Sequence, residues 1–222
     1  HVPAMQFPVV GIGASAGGLE AASKLFKNLP VDTGMSFVFI QHLDPHAHSN
    51  LTEILSRITK IPVLAITDKM ALEPNHIYVI EPNTSIQLSK NTFNVTSRPV
   101  AAGTTHLSID YFFKSLAEEQ GNLAIGVVLT GLGSDGTEGV RSINAAGGIT
   151  IAQDEESSDY ASMPNMAIAT GCVDIVLPPE KIAEEIGMLS KHPLVKSHSL
   201  KEFLPEQISL IDKILFPIRK EF

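Results

Sequence analysis

Short apolar runs alternate with amphipathic helical segments along most of the chain. The runs Met35 to Ile40 and Leu123 to Leu129 are apolar on both faces, which is the pattern of strands buried in a parallel sheet. This alternation predicts an α/β fold with a doubly wound, mainly parallel sheet and helices on both of its faces. Further strands are predicted at about 63–66, 149–153 and 173–177, and helices at about 19–27, 50–58, 108–119, 137–146 and 179–191, with a short helix after 164.

The pattern changes between Pro74 and Pro99, where short segments of alternating polarity replace the long apolar runs. These segments are 77–80, 85–88 and 92–95, and Pro-Asn and Lys-Asn pairs separate them. Such spacing predicts a small antiparallel hairpin excursion on an edge of the sheet.

Two polar residues stand where predicted helices begin. Asn50, with Glu53 three residues later, resembles a capping box, and Ser108 is placed to cap the helix that follows it. At the other end of the chain, His192 to Pro205 has the composition of a linker. We therefore predict a catalytic domain at 1–191, and a linker with the start of a following helix or domain at 192–222.

The charge balance and the lengths of the apolar runs exclude two classes of partner. Lys and Arg total 16 against 24 Asp and Glu, a net charge of −8 without any long basic run, which argues against nucleic acid. The longest apolar runs are far too short to span a bilayer, so we expect no membrane insertion. Because Cys172 is the single cysteine, no internal disulfide can form, and we expect a soluble, cytoplasmic protein.

The first strand ends in a glycine-rich turn, VVGIGASAGG, at Val9 to Gly18. Free backbone N–H groups and the positive end of a helix dipole point outward at such a turn. Its G-x-G-x-x-A spacing fits the dinucleotide fingerprint, which also needs an acid at the end of the second strand. Gln41 and His42 stand there instead, so no bound cofactor is predicted.

The same turn contains the pattern G-x-S-x-G, centred on Ser15. In that pattern, small neighbours let a serine sit on a strained strand-to-helix turn with its hydroxyl exposed. The alternative is that Ser15 is a plain N-cap, which accepts hydrogen bonds from the first helical N–H groups. The motif alone does not choose between a nucleophile and a cap.

Three predicted strands carry hydrolase-type residues just past their carboxyl ends, namely Ser15, His42 and Asp135. Ligands of an open α/β sheet bind beyond that edge. A histidine can take the proton of a serine and return it to the leaving group, while a carboxylate fixes the tautomer of the imidazole. We therefore predict a catalytic triad of these residues, with the backbone N–H groups of Ala16 and Gly17 as the oxyanion hole.

His42 and Asp135 each have another interpretation. His42 can hydrogen-bond a loop, and Asp135 can be the N-cap of the helix that it precedes. His42, Asp44, His46 and His48 also have the side chains of metal ligands. The Asp-Pro step in that loop is a turn, however, and no helical i, i+4 pair forms, so no metal site is predicted.

Four blocks of sequence stand out when they are taken together: VVGIGASAGGLEA, the QHL after the second strand, VVLTGLGSDGTEG and IAQDEESSDYASMP. In this order, between Val9 and Ile186, they resemble the catalytic domain of the chemotaxis protein-glutamate methylesterases of the CheB type. The resemblance implies a Rossmann-like sheet and a Ser-His-Asp triad at Ser15, His42 and Asp135. It also implies removal of methyl esters from glutamate side chains of a chemoreceptor-type protein, with release of methanol, and glutamine deamidation as a further activity.

Two features depart from the family's pattern. The residue after the nucleophile is often Thr in the family and is Ala16 here, so we expect the position of the serine to depend more on the backbone. Relatives often carry a receiver domain, for which there is no room before Val9; we therefore expect the esterase module of a hybrid with fused methyltransferase and regulatory domains.

The alternative functions for this chain are a non-catalytic regulatory or binding module of a multidomain sensor and a dinucleotide-binding oxidoreductase.

Overall fold

A parallel sheet lies at the centre of the computed structural model, which describes residues 6–42, 50–97 and 106–192. The strands, in chain order, are β1 (Val9–Ala14), β2 (Ser36–Gln41), β3 (Val63–Ala65), β4 (His76–Val79), β5 (Thr84–Ser89), β6 (Thr92–Ser97), β7 (Ala124–Val128), β8 (Ile149–Gln153) and β9 (Ile175–Leu177). The helices are α1 (Gly18–Asn28), α2 (Leu51–Ser56), α3 (Ser108–Gln120), α4 (Thr137–Ala145), α5 (Ser162–Ala169) and α6 (Pro179–Lys191).

The main sheet has the strand order β3-β4-β2-β1-β7-β8-β9, and all of its strand pairs are parallel. From β1 the chain builds one half of the sheet, and it then returns beside β1 with β7 to build the other half. The direction in which successive strands are added to the sheet therefore reverses between β1 and β7. Doubly wound sheets bind their ligands in the crevice at this switch point.

One hydrophobic core lies on each face of the sheet. The first core contains residues of α1, α2 and α6, such as Phe26, Leu55 and Ile186. The second contains residues of α3, α4, α5 and the β5–β6 hairpin, such as Phe113 and Met163. Helices thus cover both faces, which confirms the predicted doubly wound sheet.

The antiparallel excursion is smaller than the sequence pattern predicted, because the segment 77–80 belongs mainly to the main sheet. Strand β4 pairs in parallel with β2, and all of its residues from 77 to 79 are buried. The run is apolar on both faces, as buried parallel strands are, so its assignment to the excursion was wrong. Strands β5 and β6 do form an antiparallel hairpin, and the positive φ angles of Lys90 (51°) and Asn91 (56°) suit its two-residue turn.

Several helix starts also differ from the predicted ones. Asn50 is the N-cap of α2, but its side chain makes no capping bond, so the capping box is not formed. Ser108 is the first residue of α3, and its N-cap is Leu107. Helix α5 begins at Ser162 rather than after Pro164, because proline is compatible with the first turn of a helix.

The last helix of the described residues, α6, ends at Lys191. Helix α6 spans Pro179–Lys191, as the sequence predicted. The linker and the helical segment predicted for 192–222 lie outside the described residues, apart from His192 itself. Within the described ranges, no helix is long and apolar enough to cross a membrane.

Helix α3 lies close to both the sheet and α4, because glycines leave room for the fully buried Phe113. A Cβ at Gly11 would lie 2.8 Å from Cε1 of Phe113, and a Cβ at Gly139 would lie 2.7 Å from its Cβ. The Cβ of Phe113 is fixed to its backbone and cannot rotate away. Gly139 therefore cannot carry a side chain unless α3 or α4 moves.

We predict that Gly139→Ala lowers the free energy of unfolding by about 1–3 kcal/mol, the usual cost of overpacking. In an unhindered helix the same change would stabilise the protein by up to about 1 kcal/mol, so the close contact decides the sign. Urea denaturation measures the difference. Gly187→Ala in α6 is the control, because its new Cβ would meet only Pro30, at 3.1 Å. A Gly139→Ala protein as stable as wild type would contradict the packing described here.

Candidate active site

The parallel register of β1 and β2 brings Ser15 and His42 together. Ala14 and Gln41 are the last paired residues of these strands. The ladder continues one step further, because the N–H of His42 donates to the carbonyl of Ala14 at 3.1 Å. Ser15 and His42 therefore occupy neighbouring positions just past the carboxyl edge of the sheet.

The pairing of β1 with β7 fixes Ser15 from the other side. The N–H of Ser15 donates to the carbonyl of Thr130 at 3.0 Å, beyond the end of β7. The chain at Gly131 packs directly on the serine, since a Cβ there would lie 2.7 Å from the Cβ of Ser15. Asp135 follows a few residues later, before α4. All three predicted triad residues thus lie at the switch point of the sheet.

The turn from β1 into α1 is held by its backbone. Gly17 has a positive φ of 75° and is the N-cap of α1, without any side-chain capping bond. The carbonyl of Ser15 accepts hydrogen bonds from the N–H of Gly18 at 2.9 Å and from Nε2 of Gln41 at 2.8 Å. The interpretation of Ser15 as a plain N-cap was therefore wrong, because Gly17 holds that position.

Two backbone N–H groups beside Ser15 are available to a ligand. In the described part of the chain, the N–H groups of Ala16 and Gly17 donate to no protein acceptor. They precede the first turn of α1, where the helix dipole favours negative charge. An oxyanion at this point would find donors already in place.

His42 and Asp135 form an ion-pair-type hydrogen bond. Nε2 of His42 lies 2.5 Å from Oδ2 of Asp135. The histidine side chain is 32% exposed and the aspartate side chain only 3%. When the carboxylate accepts the Nε2 proton, the neutral imidazole presents Nδ1 as its free acceptor.

The carboxylate of Asp135 also accepts three backbone N–H groups. Its Oδ2 bonds Ile109 at 2.9 Å, while its Oδ1 bonds Asp110 at 2.8 Å and Gly136 at 2.9 Å. Gly136 is the N-cap of α4, so the interpretation of Asp135 as the cap of the helix it precedes was wrong. Its side chain caps the first turn of α3 instead. Four hydrogen bonds compensate for the burial of this charge.

Three residues that sequence reasoning did not single out complete the site, namely the buried Thr130 and Gln153 and the exposed Tyr160. The hydroxyl of Thr130 lies 3.2 Å from the carbonyl of Ala16 and accepts the N–H of Tyr160 at 2.9 Å. The N–H of Thr130 donates to Oε1 of Gln153 at 2.8 Å. Each residue lies within a sequence block that resembles the methylesterases, and Thr130 and Gln153 stand at the ends of strands. A polar residue at the end of a strand was the sequence signal that could have identified Thr130 and Gln153.

The histidine-rich loop was considered above as a metal site. Except for His42, its candidate ligands fall in 43–49, outside the described residues. Within the residues described, no group of three His, Cys, Asp or Glu side chains is placed to hold a metal ion. Gln41, which stands where a dinucleotide site needs its acid, donates to the backbone of Ser15 instead.

Comparisons with known proteins agree with this architecture. A protein-glutamate methylesterase/protein-glutamine glutaminase of Burkholderia lata is 36% identical over 187 residues, covering 84% of this chain and 55% of the relative. A putative protein of the same name from Leptospira interrogans is 32% identical over 193 residues, covering 86% of this chain and 98% of the relative. The chain therefore spans about half the length of some relatives and nearly all of another.

The structural comparison leads to the same group of proteins. The crystal structure of the Thermotoga maritima CheB methylesterase catalytic domain superposes with a TM-score of 0.74 at 26% identity, covering 83% of this chain and all of that domain. The CheB methylesterase family model matches residues 10–186, from within β1 to within α6. The chain therefore belongs to the CheB methylesterase family.

Proposed function

We propose that the chain is a serine hydrolase that removes methyl esters from glutamate side chains of a chemoreceptor-type signalling protein. The observation that carries this proposal is the His42–Asp135 pair, held beside Ser15 at the switch point of the sheet. The names of the relatives supply the substrate, since they are called protein-glutamate methylesterases.

The first half of the reaction acylates Ser15. Nδ1 of His42 takes the hydroxyl proton as the serine oxygen attacks the ester carbonyl. The negative charge that develops on the carbonyl oxygen is stabilised by the N–H groups of Ala16 and Gly17. The imidazolium then protonates the methoxy group, methanol leaves, and a glutamyl ester of Ser15 remains.

The second half releases the product by the same steps with water as the nucleophile. His42 takes a proton from water, hydroxide attacks the acyl group, and the imidazolium returns a proton to the oxygen of Ser15. The product is a glutamate carboxylate. Asp135 stays ionised throughout and stabilises the imidazolium that forms in each half-reaction.

Glutamine deamidation follows the same path with a different leaving group. An amide substrate would acylate Ser15 with release of ammonia, and hydrolysis would again give glutamate. The relatives support this second activity, because their names also include protein-glutamine glutaminase. The two activities share every catalytic group, so a single variant should lose both.

The proposal also includes the domain organisation and the cellular location of the protein. We infer that 1–191 is the catalytic domain, acting in the cytoplasm, and that 192–222 is a linker to a following helix or domain. The fused methyltransferase and regulatory domains that we propose rest on the family resemblance described above.

Replacement of the proposed nucleophile is the primary test. We expect Ser15→Ala to lower methanol release from a methylated receptor fragment by a factor of about 10⁴ to 10⁶. It should also abolish labelling by a fluorophosphonate probe, which reacts only with an activated serine. Ser23→Ala in α1, whose hydroxyl bonds the carbonyl of Leu19, is the control and should keep both properties. Labelling and turnover that survive in Ser15→Ala would reject the nucleophile.

A second test distinguishes His42 as the general base from a metal site in the histidine-rich loop. We expect ester hydrolysis by the wild type to increase with pH, because the neutral imidazole of His42 is the active form. EDTA should leave the rate unchanged. Inactivation by EDTA with recovery on addition of zinc would instead place a metal in the loop and refute the triad.

A third test addresses the carboxylate. Asp135→Asn places an NH₂ group either toward the N–H of Ile109 and the ring of His42 or toward the N–H groups of Asp110 and Gly136, so at least one hydrogen bond must be lost. We expect a decrease in turnover of about two to four orders of magnitude and a loss of about 1–3 kcal/mol of stability. Asp68→Asn, which changes an exposed carboxylate that accepts the N–H of Val95, should alter neither strongly. A folded Asp135→Asn protein with wild-type turnover would show that Asp135 is not a triad residue.

A further inference from the structure

The N-termini of α3 and α4 pack together. The N-cap residue of each helix accepts no hydrogen bond from the helix through its side chain. Leu107 of α3 and Gly136 of α4 make no side-chain capping bond. The first N–H groups of both helices would then need other acceptors. For α3 the acceptor is Asp135, which lies outside the helix and bonds Ile109 and Asp110.

Asp110 supplies the matching acceptor for α4. Its Oδ1 accepts the N–H of Gly139 in the first turn of α4 at 2.6 Å. Its own N–H donates to Oδ1 of Asp135. The two aspartates therefore exchange caps, since each lies at the start of one helix and binds the first turn of the other.

This exchange constrains the carboxylate that faces His42. Oδ2 of Asp135 bonds both the N–H of Ile109 and Nε2 of His42, so a small rotation of the carboxylate would weaken one of the two. The bond from Gly139 to Asp110 fixes the first turn of α4, which follows Asp135 directly. Without it, the turn that carries Asp135 loses a hydrogen bond that ties the start of α4 to α3.

We propose that Asp110 is a positioning residue that keeps Asp135 aligned with His42. For catalysis, this inference rests on the function proposed above. Asp110 does not reach the reacting atoms in this arrangement and acts through Asp135. A purely structural cap would change stability alone, whereas a positioning residue changes the His42–Asp135 bond and the turnover.

The ionised form of Asp110 also lowers the stability of the folded state. Burial, together with the charges of Asp135 and Glu138, raises the pKa of Asp110 to about 6, against the lowering effect of the N–H groups of Gly139 and Gly136. The folded state thus binds this proton more tightly than the unfolded chain. Its contribution to stability is present below the ordinary aspartate range and is lost as the pH rises through about 6. At neutral pH the protein therefore keeps a half-buried charge that lowers its stability.

The experiment compares Asp110→Ala and Asp110→Asn in the full chain. We expect Asp110→Ala to lower kcat for ester hydrolysis by about 10- to 100-fold, the usual effect of removing a supporting hydrogen-bond partner, with KM within about twofold of wild type. Asp110→Asn should recover part of kcat, because its amide oxygen can still accept the N–H of Gly139. The difference in melting temperature between Asp110→Asn and wild type should shift in favour of the variant between pH 5 and pH 7.5.

A second readout does not depend on activity. The imidazole N–H of His42 bonded to Asp135 should give a downfield proton NMR signal, assigned by its loss in His42→Gln. We expect that signal to shift or broaden in Asp110→Ala. Asp174→Ala is the control, because this carboxylate accepts the N–H of Thr150 at the opposite end of the sheet. Its signal and kcat should match wild type.

The outcomes are distinguishable. Wild-type kcat and an unchanged NMR signal in Asp110→Ala would overturn the proposal, and so would an equal loss of kcat in Asp174→Ala. Should Asp110→Ala fail to fold, Asp110→Leu, which removes the acceptor for the N–H of Gly139 but keeps a side chain of similar size, decides by the same criteria. A wild-type protein that neither hydrolyses esters nor reacts with the fluorophosphonate probe would refute the proposed function, whereas the NMR signal would still test the positioning role.

Discussion

The register of β1 against its two neighbours is the constraint on which the site depends. Parallel pairing aligns the carboxyl ends of β2, β1 and β7, so the residues that follow these strands meet at one edge. The ladder extends past the strands on both sides of β1, through the N–H groups of His42 and Ser15. A slip by one residue would turn each side chain to the other face and separate the serine from the histidine.

Buried charge is the second constraint. A carboxylate that is 3% exposed is tolerated only when its oxygens are well hydrogen-bonded, and Asp135 meets this condition with three backbone N–H groups and His42. Two of those N–H groups belong to the first turn of α3. The packing of α3 against the sheet, which glycines make possible, therefore also builds the electrostatic environment of the site. The stability of the fold and the orientation of the histidine depend on the same contacts.

The sequence predicted the elements that local pattern determines, and missed the contacts between distant segments. Apolar runs and glycine-rich turns located β1, β2 and β7 and placed polar residues at their ends. The cap between Asp135 and Ile109 joins residues 26 positions apart, so no local signal shows it. The segment 77–80 was misassigned because a short apolar run does not reveal whether its partner lies in the main sheet or in a hairpin. Similarly, Gly17 rather than Ser15 is the N-cap, because a glycine adopts its positive φ of 75° without the steric cost of a Cβ.

The alanine after Ser15 shows how the backbone can replace a side-chain contact. The resemblance raised the concern that Ala16 removes a hydroxyl which helps to position the site. In this structure the N–H and the carbonyl of Ser15 are both bonded, and the carbonyl of Ala16 lies 3.2 Å from the hydroxyl of Thr130. The turn is therefore held from β2 and from β7 without any contribution from the side chain at 16. Since an oxyanion hole of backbone N–H groups requires a fixed turn rather than a particular side chain, the departure at Ala16 is compatible with the proposed catalysis.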